Sequence, residues 1–283
     1  MVEIGRINNL RVVKEVDFGV YLDGGDMGEI LLPQKYVVPE DYEKTGFLDV
    51  FIYLDSEDRL IATTEKPFAK VGEFAFLKVA AVNKYGAFLD WGLPKDLLVP
   101  FREQKQNMEE GKSYVVYIYV DNESQRIAAS AKVDKFLDLT PIEYVDGEEV
   151  DLMIYSETDI GFKAIINRAH WGILYKNEVF QKLKTGDAVK GYIKKIRDDN
   201  KIDLSLQKTG FELMDEVAEN ILAKLKEKNG FIPVGDKSSP ETISAYFGIS
   251  KKSFKKSVGL LYKKRLITLE NEGIRLIENS QES

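Results

Sequence analysis

Phe18-Gly19-Val20-Tyr21-Leu22 decides how this chain is read, because it comes back twice. Sixty-seven residues on stands Tyr85-Gly86-Ala87-Phe88-Leu89, and 75 further on stands Ile160-Gly161-Phe162-Lys163-Ala164. Fourteen residues before each of these glycines is another, giving the pairs Gly5/Gly19, Gly72/Gly86 and Gly147/Gly161. A fixed period of this length marks a repeated supersecondary unit. Each copy runs on into a further strand, an irregular stretch and a closing ribbon. The ribbons are Leu48 to Leu54 with Arg59 to Thr63, Tyr114 to Val120 with Arg126 to Ser130, and Ala188 to Ile196 with Lys201 to Leu206. Their turns are Asp55-Ser56-Glu57-Asp58, Asp121-Asn122-Glu123-Ser124 and Asp198-Asp199-Asn200. Asp, Asn and Ser suit hairpin turns because their side chains bond nearby backbone and tolerate left-handed φ.

About five short strands per copy would leave two open edges in a flat sheet, so closure into a small Greek-key barrel is expected. The reading is three oligonucleotide-binding (OB) type barrels, with an SH3-like barrel as the alternative module. The glycine inside strand two suits a barrel that must bend its strands sharply.

After Leu206 the period turns helical. Phe211, Met214, Val217, Ala218, Ile221, Leu222 and Leu225 share one face, and Asn229-Gly230 ends that helix. A short strand, Phe231 to Val234, comes next. Ser239-Pro240-Glu241 then caps a helix stopping near Gly248, and Ser250 caps another running to about Arg265. A hairpin turning at Glu270-Asn271-Glu272-Gly273 closes the chain. That order is a winged helix-turn-helix. The expected architecture is mostly β with a C-terminal α+β module: barrels over 1–65, 66–137 and 138–208, and a winged helix over 209–283.

The chain has 283 residues, no cysteine, a single histidine and a formal charge of −7. These numbers exclude disulfides, thiolate metal sites and a multi-histidine centre. No apolar run is long enough to span a membrane, and the first twenty residues lack a basic patch before an apolar stretch, so a cytoplasmic address is expected and no membrane partner. The charge is uneven. The four segments carry nets of −8, +2, −2 and +1, so the first barrel is the least suited to hold a polyanion unaided.

OB-type barrels receive single-stranded nucleic acid across strands two and three, where bases stack on rings and basic groups follow phosphates. Strand alternation sends Tyr21 and Phe88 to the face opposite Leu22 and Leu89; with the leucines inward, the rings point out. The other reading of these rings is that they cap a barrel end or pack between modules. Trp91, Lys78 and Lys84 surround the same expected face of the second barrel, which makes it the leading contact. The third barrel has a basic strand, Lys190, Lys194, Lys195 and Arg197, with Tyr192 among them; lysines also serve to blunt a sheet edge.

Phe18-Gly19-Val20-Tyr21-Leu22 followed by Gly28 and Asp58-Arg59-Leu60 resembles the RNA-binding repeat of ribosomal protein S1. The resemblance implies an RNA surface made of Phe18, Tyr21 and Arg59 in the first repeat and of Tyr85, Phe88 and Arg126 in the second. In the third, Ile160 and Lys163 stand where the rings would be, Lys201 replaces the arginine, and Tyr175 takes the place of a strand-three histidine that all three repeats lack. As a whole, carried by the stretches 51–63 and 88–100, the chain resembles the bacterial conserved virulence factor B family, with three S1-type repeats and a winged helix. That resemblance implies a cytosolic RNA-binding protein that influences gene expression and is not an enzyme.

In the winged helix, Phe254, Val258 and Leu261 form the inward stripe of the third helix, and Lys252, Lys255, Lys256 and Lys263 fall on or beside the opposite face. Lysines without Arg, Asn or Gln contact phosphate and read little sequence; a solvated face on a protein-docking module is the alternative. No nucleophile-elbow, Walker or zinc-protease motif occurs. The acid groups Asp23/Asp26/Glu29 and Asp198/Asp199/Asp203 lie in or beside turns, and His170 reads as a partly packed loop residue. The expected function is therefore non-enzymatic binding of single-stranded RNA with post-transcriptional effect, without cofactor or small-molecule substrate. Duplex nucleic acid is a further expected partner of the winged helix. The rival readings are a protein-interaction scaffold and a duplex-DNA regulator.

Overall fold

In the computed structural model, which describes residues 1–207 and 211–277 with the side chains of 211–216 excepted, each repeat is a closed five-stranded barrel. The first comprises β1 (Ile7–Val16), β2 (Gly19–Asp23), β3 (Glu29–Pro33), β4 (Phe47–Leu54) and β5 (Leu60–Thr63). The second has β6 (Phe74–Asn83), β7 (Gly86–Asp90), β8 (Leu97–Pro100), β9 (Ser113–Val120) and β10 (Ile127–Ser130). The third has β11 (Glu149–Glu157), β12 (Gly161–Ile166), β13 (His170–Tyr175), β14 (Ala188–Ile196) and β15 (Ile202–Ser205). The order around every barrel is first, second, third, fifth, fourth. Closure comes from a parallel pairing of the third strand with the fifth: Leu31 opposite Ile61, Leu98 opposite Ala128, Gly172 opposite Ile202.

The repeat reaches down to single irregularities. The pairing of strands one and two slips between Val12 and Lys14, between Val79 and Ala81, and between Ile154 and Ser156. These bulges stand at equivalent positions in the three copies and bend the first strand so that it can pair on both sides. The motif glycine has a sharper cause than general bending. Gly19, Gly86 and Gly161 hold φ of +151°, +152° and +157°, and an added Cβ would stand 2.1, 2.2 and 2.0 Å from the carbonyl oxygens of Leu32, Val99 and Leu174. Only a residue without Cβ fits where the neighbouring strand comes so close.

Inside each barrel the alternating side chains pack as expected, with Leu22, Ile30, Leu32 and Ile52 in the first and Ile154, Ala164 and Leu204 in the third. Strand β4 breaks the alternation. Val50, Phe51, Ile52 and Tyr53 are all buried, because Phe51 and Tyr53, on the outer face of the first barrel, enter the core cluster of the second.

The C-terminal module comprises α1 (Phe211–Glu227), β16 (Phe231–Ile232), α2 (Pro240–Phe247), α3 (Lys251–Lys263), β17 (Ile267–Glu270) and β18 (Gly273–Leu276), with sheet order β16-β18-β17. Ser239 accepts from the Thr242 amide at 3.2 Å and Ser250 from the Ser253 amide at 3.0 Å. Each such cap contributes roughly 1 kcal/mol. Gly248 ends α2 in a left-handed turn. Val217, Ile221 and Leu225 of α1 meet Ile243, Phe254, Val258 and Leu261 in one core; Phe211 and Met214 of the expected stripe lie outside the described side chains. The four modules fall into two compact units, Met1–Leu139 and Thr140–Ser283.

His170 is not in a loop. It opens β13, is buried, and bonds through one ring nitrogen to the Thr140 carbonyl at 2.9 Å and through the other to the Tyr144 hydroxyl at 3.1 Å.

Candidate nucleic-acid interface

The most developed surface lies on the second barrel. β7, β8 and β10 lie side by side, with Phe88 opposite Leu98 and Leu98 opposite Ala128. All three line a cleft of about 620 Å³, within the range of sites that take small organic groups. Tyr85 stands at one end, 62% exposed. Its amide is held by the Asn83 side chain at 2.8 Å, and the Lys84 ammonium lies 5.1 Å from its ring centroid. Phe88 is half-buried and lines the same cleft.

The other wall comes from the first barrel, through Tyr53 and Leu54. Lys95 fastens this wall by donating to the Leu54 and Asp55 carbonyls at 3.0 and 2.6 Å. Burial lowers the pKa of that ammonium, and the two carbonyl oxygens offset part of that effect by facing its charge. At the same end burial, and then neighbouring Asp90, raise the carboxyl of Asp96 above its ordinary value. Arg102 pairs with Asp121 at 3.1 Å, and Arg126 pairs with Asp58 of the first barrel. The cleft therefore combines one exposed ring, Tyr85, and the half-buried Phe88 with two guanidinium groups, each already facing a carboxylate.

Trp91 is a correction. It is 3% exposed, its Nε1 donates to the Lys95 carbonyl at 2.6 Å, and its ring packs edge-on against Phe51. Buried between the two barrels, it serves their junction and offers no free face for a base. Lys78 is exposed in register with Asp90 but is not part of the cleft lining.

On the first barrel, Phe18 is 57% exposed and meets Tyr21 edge-on at 6.3 Å. The Lys14 ammonium lies 4.6 Å over the Tyr21 ring while paired with Glu29 at 2.6 Å. Arg59 is held by its own turn, at 2.9 and 2.7 Å from Asp55 and 3.0 Å from Glu57. Directly across from the motif glycines stand Pro33, Pro100 and Tyr175.

On the third barrel the expected contacts are mostly engaged within the chain. Tyr175 donates to Asp203 at 3.3 Å and touches Arg197, which also pairs with Asp203 at 2.8 Å. Tyr192 donates to Glu149 at 3.0 Å, Lys194 pairs with Glu178 at 2.5 Å, and Lys201 with Asp199 at 2.7 Å. Lys163 lies 3.6 Å over the Trp171 ring, a cation on an aromatic face.

In the winged helix the sequence pattern and the packing agree. Phe254, Val258 and Leu261 are buried, whereas Lys252, Lys255, Lys256 and Lys263 are exposed along α3, joined by Tyr262.

Sequence reasoning missed Tyr53, Lys95, Arg102 and Asp121, which line the cleft of the second barrel, and Asp58, which pairs with the lining Arg126. The turn acids were legible as hairpin formers, but nothing in the repeat tells one ribbon turn which barrel it will face.

Family models match three of the four modules. The S1 domain family model matches residues 4–65 and 71–131, and the CvfB-like winged helix domain model matches residues 219–276. Conserved virulence factor B of Staphylococcus haemolyticus is 30% identical, covering 96% of this chain and 94% of that protein. The Bacillus subtilis protein YitL is 29% identical, covering 94% and 91%. A crystal structure of a multidomain protein with nucleic acid binding domains from Streptococcus pneumoniae covers 97% of this chain and 98% of that one, at 24% identity and a TM-score of 0.42. With S1-type barrels followed by a CvfB-like winged helix along a chain that aligns from end to end with such relatives, this protein belongs to the conserved virulence factor B family.

Proposed function

We propose that this chain binds single-stranded RNA without enzymatic turnover and acts post-transcriptionally in the cytoplasm, through modules spanning 1–65, 66–137, 138–208 and 209–283. The observation that supports this reading best is the cleft of the second barrel, where Tyr85 stands exposed beside Lys84 and Phe88 borders a space of about 620 Å³. A flat ring at the mouth of an open cleft suits an unpaired base, and stacking is worth roughly 1–3 kcal/mol per base. The first barrel adds Phe18 and Tyr21, and the lysine face of α3 adds phosphate contacts without sequence reading. Further weak contacts on the same chain raise the effective concentration of each next one.

Fluorescence anisotropy with a short oligouridylate over a salt series tests the reading on the full chain. Affinity should fall as salt rises, as phosphate contacts release counterions, and Tyr85→Ala with Phe88→Ala should weaken it at every salt. A chain that binds duplex DNA as tightly as single-stranded RNA, and is indifferent to those two substitutions, would instead be working through the lysines of α3.

A further inference from the structure

In the ribbon turn of the first barrel, Asp58 holds a left-handed backbone with φ of +61°. Its carboxylate reaches the guanidinium of Arg126, 68 residues away, at the start of the second strand of the equivalent ribbon in the second barrel. Both side chains remain about half exposed, 44% and 55%. The turn is fixed from behind, since Lys95 holds the Leu54 and Asp55 carbonyls and the Asp58 amide bonds to the Asp55 carbonyl at 3.2 Å. Asp58 is thus carried by the first barrel and delivered to Arg126, which lines the cleft together with Tyr85 and Phe88 of the second.

Carboxylate and phosphate oxygens use the same fork of guanidinium N–H donors. Resting on the reading of this cleft as an RNA site, we propose that Asp58 is an internal competitor for phosphate at Arg126. In the free chain its carboxylate fills the phosphate subsite beside the aromatic floor. A strand whose base enters the cleft takes Arg126 with its own phosphodiester and releases Asp58 to water. An exposed ion pair is weak, so this contact lowers affinity by a small factor and does not block the site. It also flattens salt dependence, because the released carboxylate recovers a cation while the bound phosphate gives one up.

The test is Asp58→Asn in the full chain, read by anisotropy with a twelve-residue oligouridylate over a salt series. Asparagine tolerates the left-handed backbone and keeps the size of the side chain. Affinity should tighten about two- to fivefold, the equivalent of an exposed ion pair, and the salt dependence should steepen. In an Arg126→Ala background the same substitution should change nothing. If Asp58→Asn leaves binding unchanged or weaker while Phe88→Ala still impairs it, the competitor role is wrong and the RNA site stands. Tightening that persists without Arg126 would also overturn it, as a general effect of removing charge. Binding indifferent to both Phe88 and Tyr85 would remove the RNA site itself.

Discussion

Trp91 of the second barrel stands edge-on to Phe51 of the first, ring centroids 5.7 Å apart and planes at 76°. Phe51 is fully buried although it lies on the outside of its own barrel. The contact makes the cleft composite, since the strand that carries Phe51 also carries Tyr53 and Leu54 to the far wall.

Phe51→Ala should therefore cost about 3–5 kcal/mol, the range for deleting a buried phenyl ring. Urea unfolding in a Trp171→Phe background, followed by tryptophan fluorescence, checks this, because the remaining Trp91 reports on the junction. A destabilisation below about 1 kcal/mol would mean that the barrels do not depend on the ring.

Gly86→Ala should destabilise the second barrel as severely as a core truncation. Its φ of +152° and the 2.2 Å approach to the Val99 carbonyl leave no room for a methyl group, and strand β8 must retreat or the backbone strain. The midpoint of a thermal melt should fall by at least about 8 °C, since a core truncation costs about 2–5 kcal/mol and each 1 kcal/mol moves a small domain by roughly 4–8 °C.

Arg59→Ala should change RNA affinity far less than Tyr85→Ala. Asp55 and Glu57 already surround the Arg59 guanidinium, so a phosphate gains little by reaching it, whereas the Tyr85 ring is open. Titration of both variants against the same oligouridylate decides the order. Equal weakening in the two would show that the turn releases its arginine.

The Asp121 turn should fail in acid. The Ser124 amide and hydroxyl, then Arg102, hold the Asp121 carboxyl below its ordinary 3.8. A carboxyl depressed on folding stabilises fully above its unfolded value and gives up that contribution as pH falls through the lower folded one. Asp121→Asn should lower the urea midpoint at pH 7, and the difference from the parent should shrink as pH drops below about 4. A gap that stays constant down to about pH 2 would contradict this.

Replacing Lys252, Lys255, Lys256 and Lys263 together by alanine should leave the melting temperature nearly unchanged, since all four are exposed on α3 and alanine favours helix. RNA affinity should weaken and its salt dependence flatten, by about 0.7 in the logarithmic slope for each phosphate of a single strand that these lysines neutralise. An unaltered slope would place the nucleic acid elsewhere.

The three barrels and the winged helix were legible in the chain because their causes are local. A strand partner's carbonyl pressing on the backbone demands glycine at 19, 86 and 161. Asp- and Asn-rich turns set the ribbons, and Ser239 and Ser250 cap their helices within three residues. Period-two alternation placed Leu22 and Leu89 inside and left Tyr21 and Phe88 toward solvent. What alternation assigns, however, is only a face of a strand, and whether an outward face meets water or another barrel depends on packing between repeats. That packing buried Phe51, Tyr53 and Trp91, turned Lys95 into a fastening and brought Asp58 to Arg126. Bonds across 40 to 68 residues join turns and outer faces whose sequences satisfy their own repeats equally well without them. The fold of each module was thus written locally, and the shape and charge of the cleft came from the assembled pair.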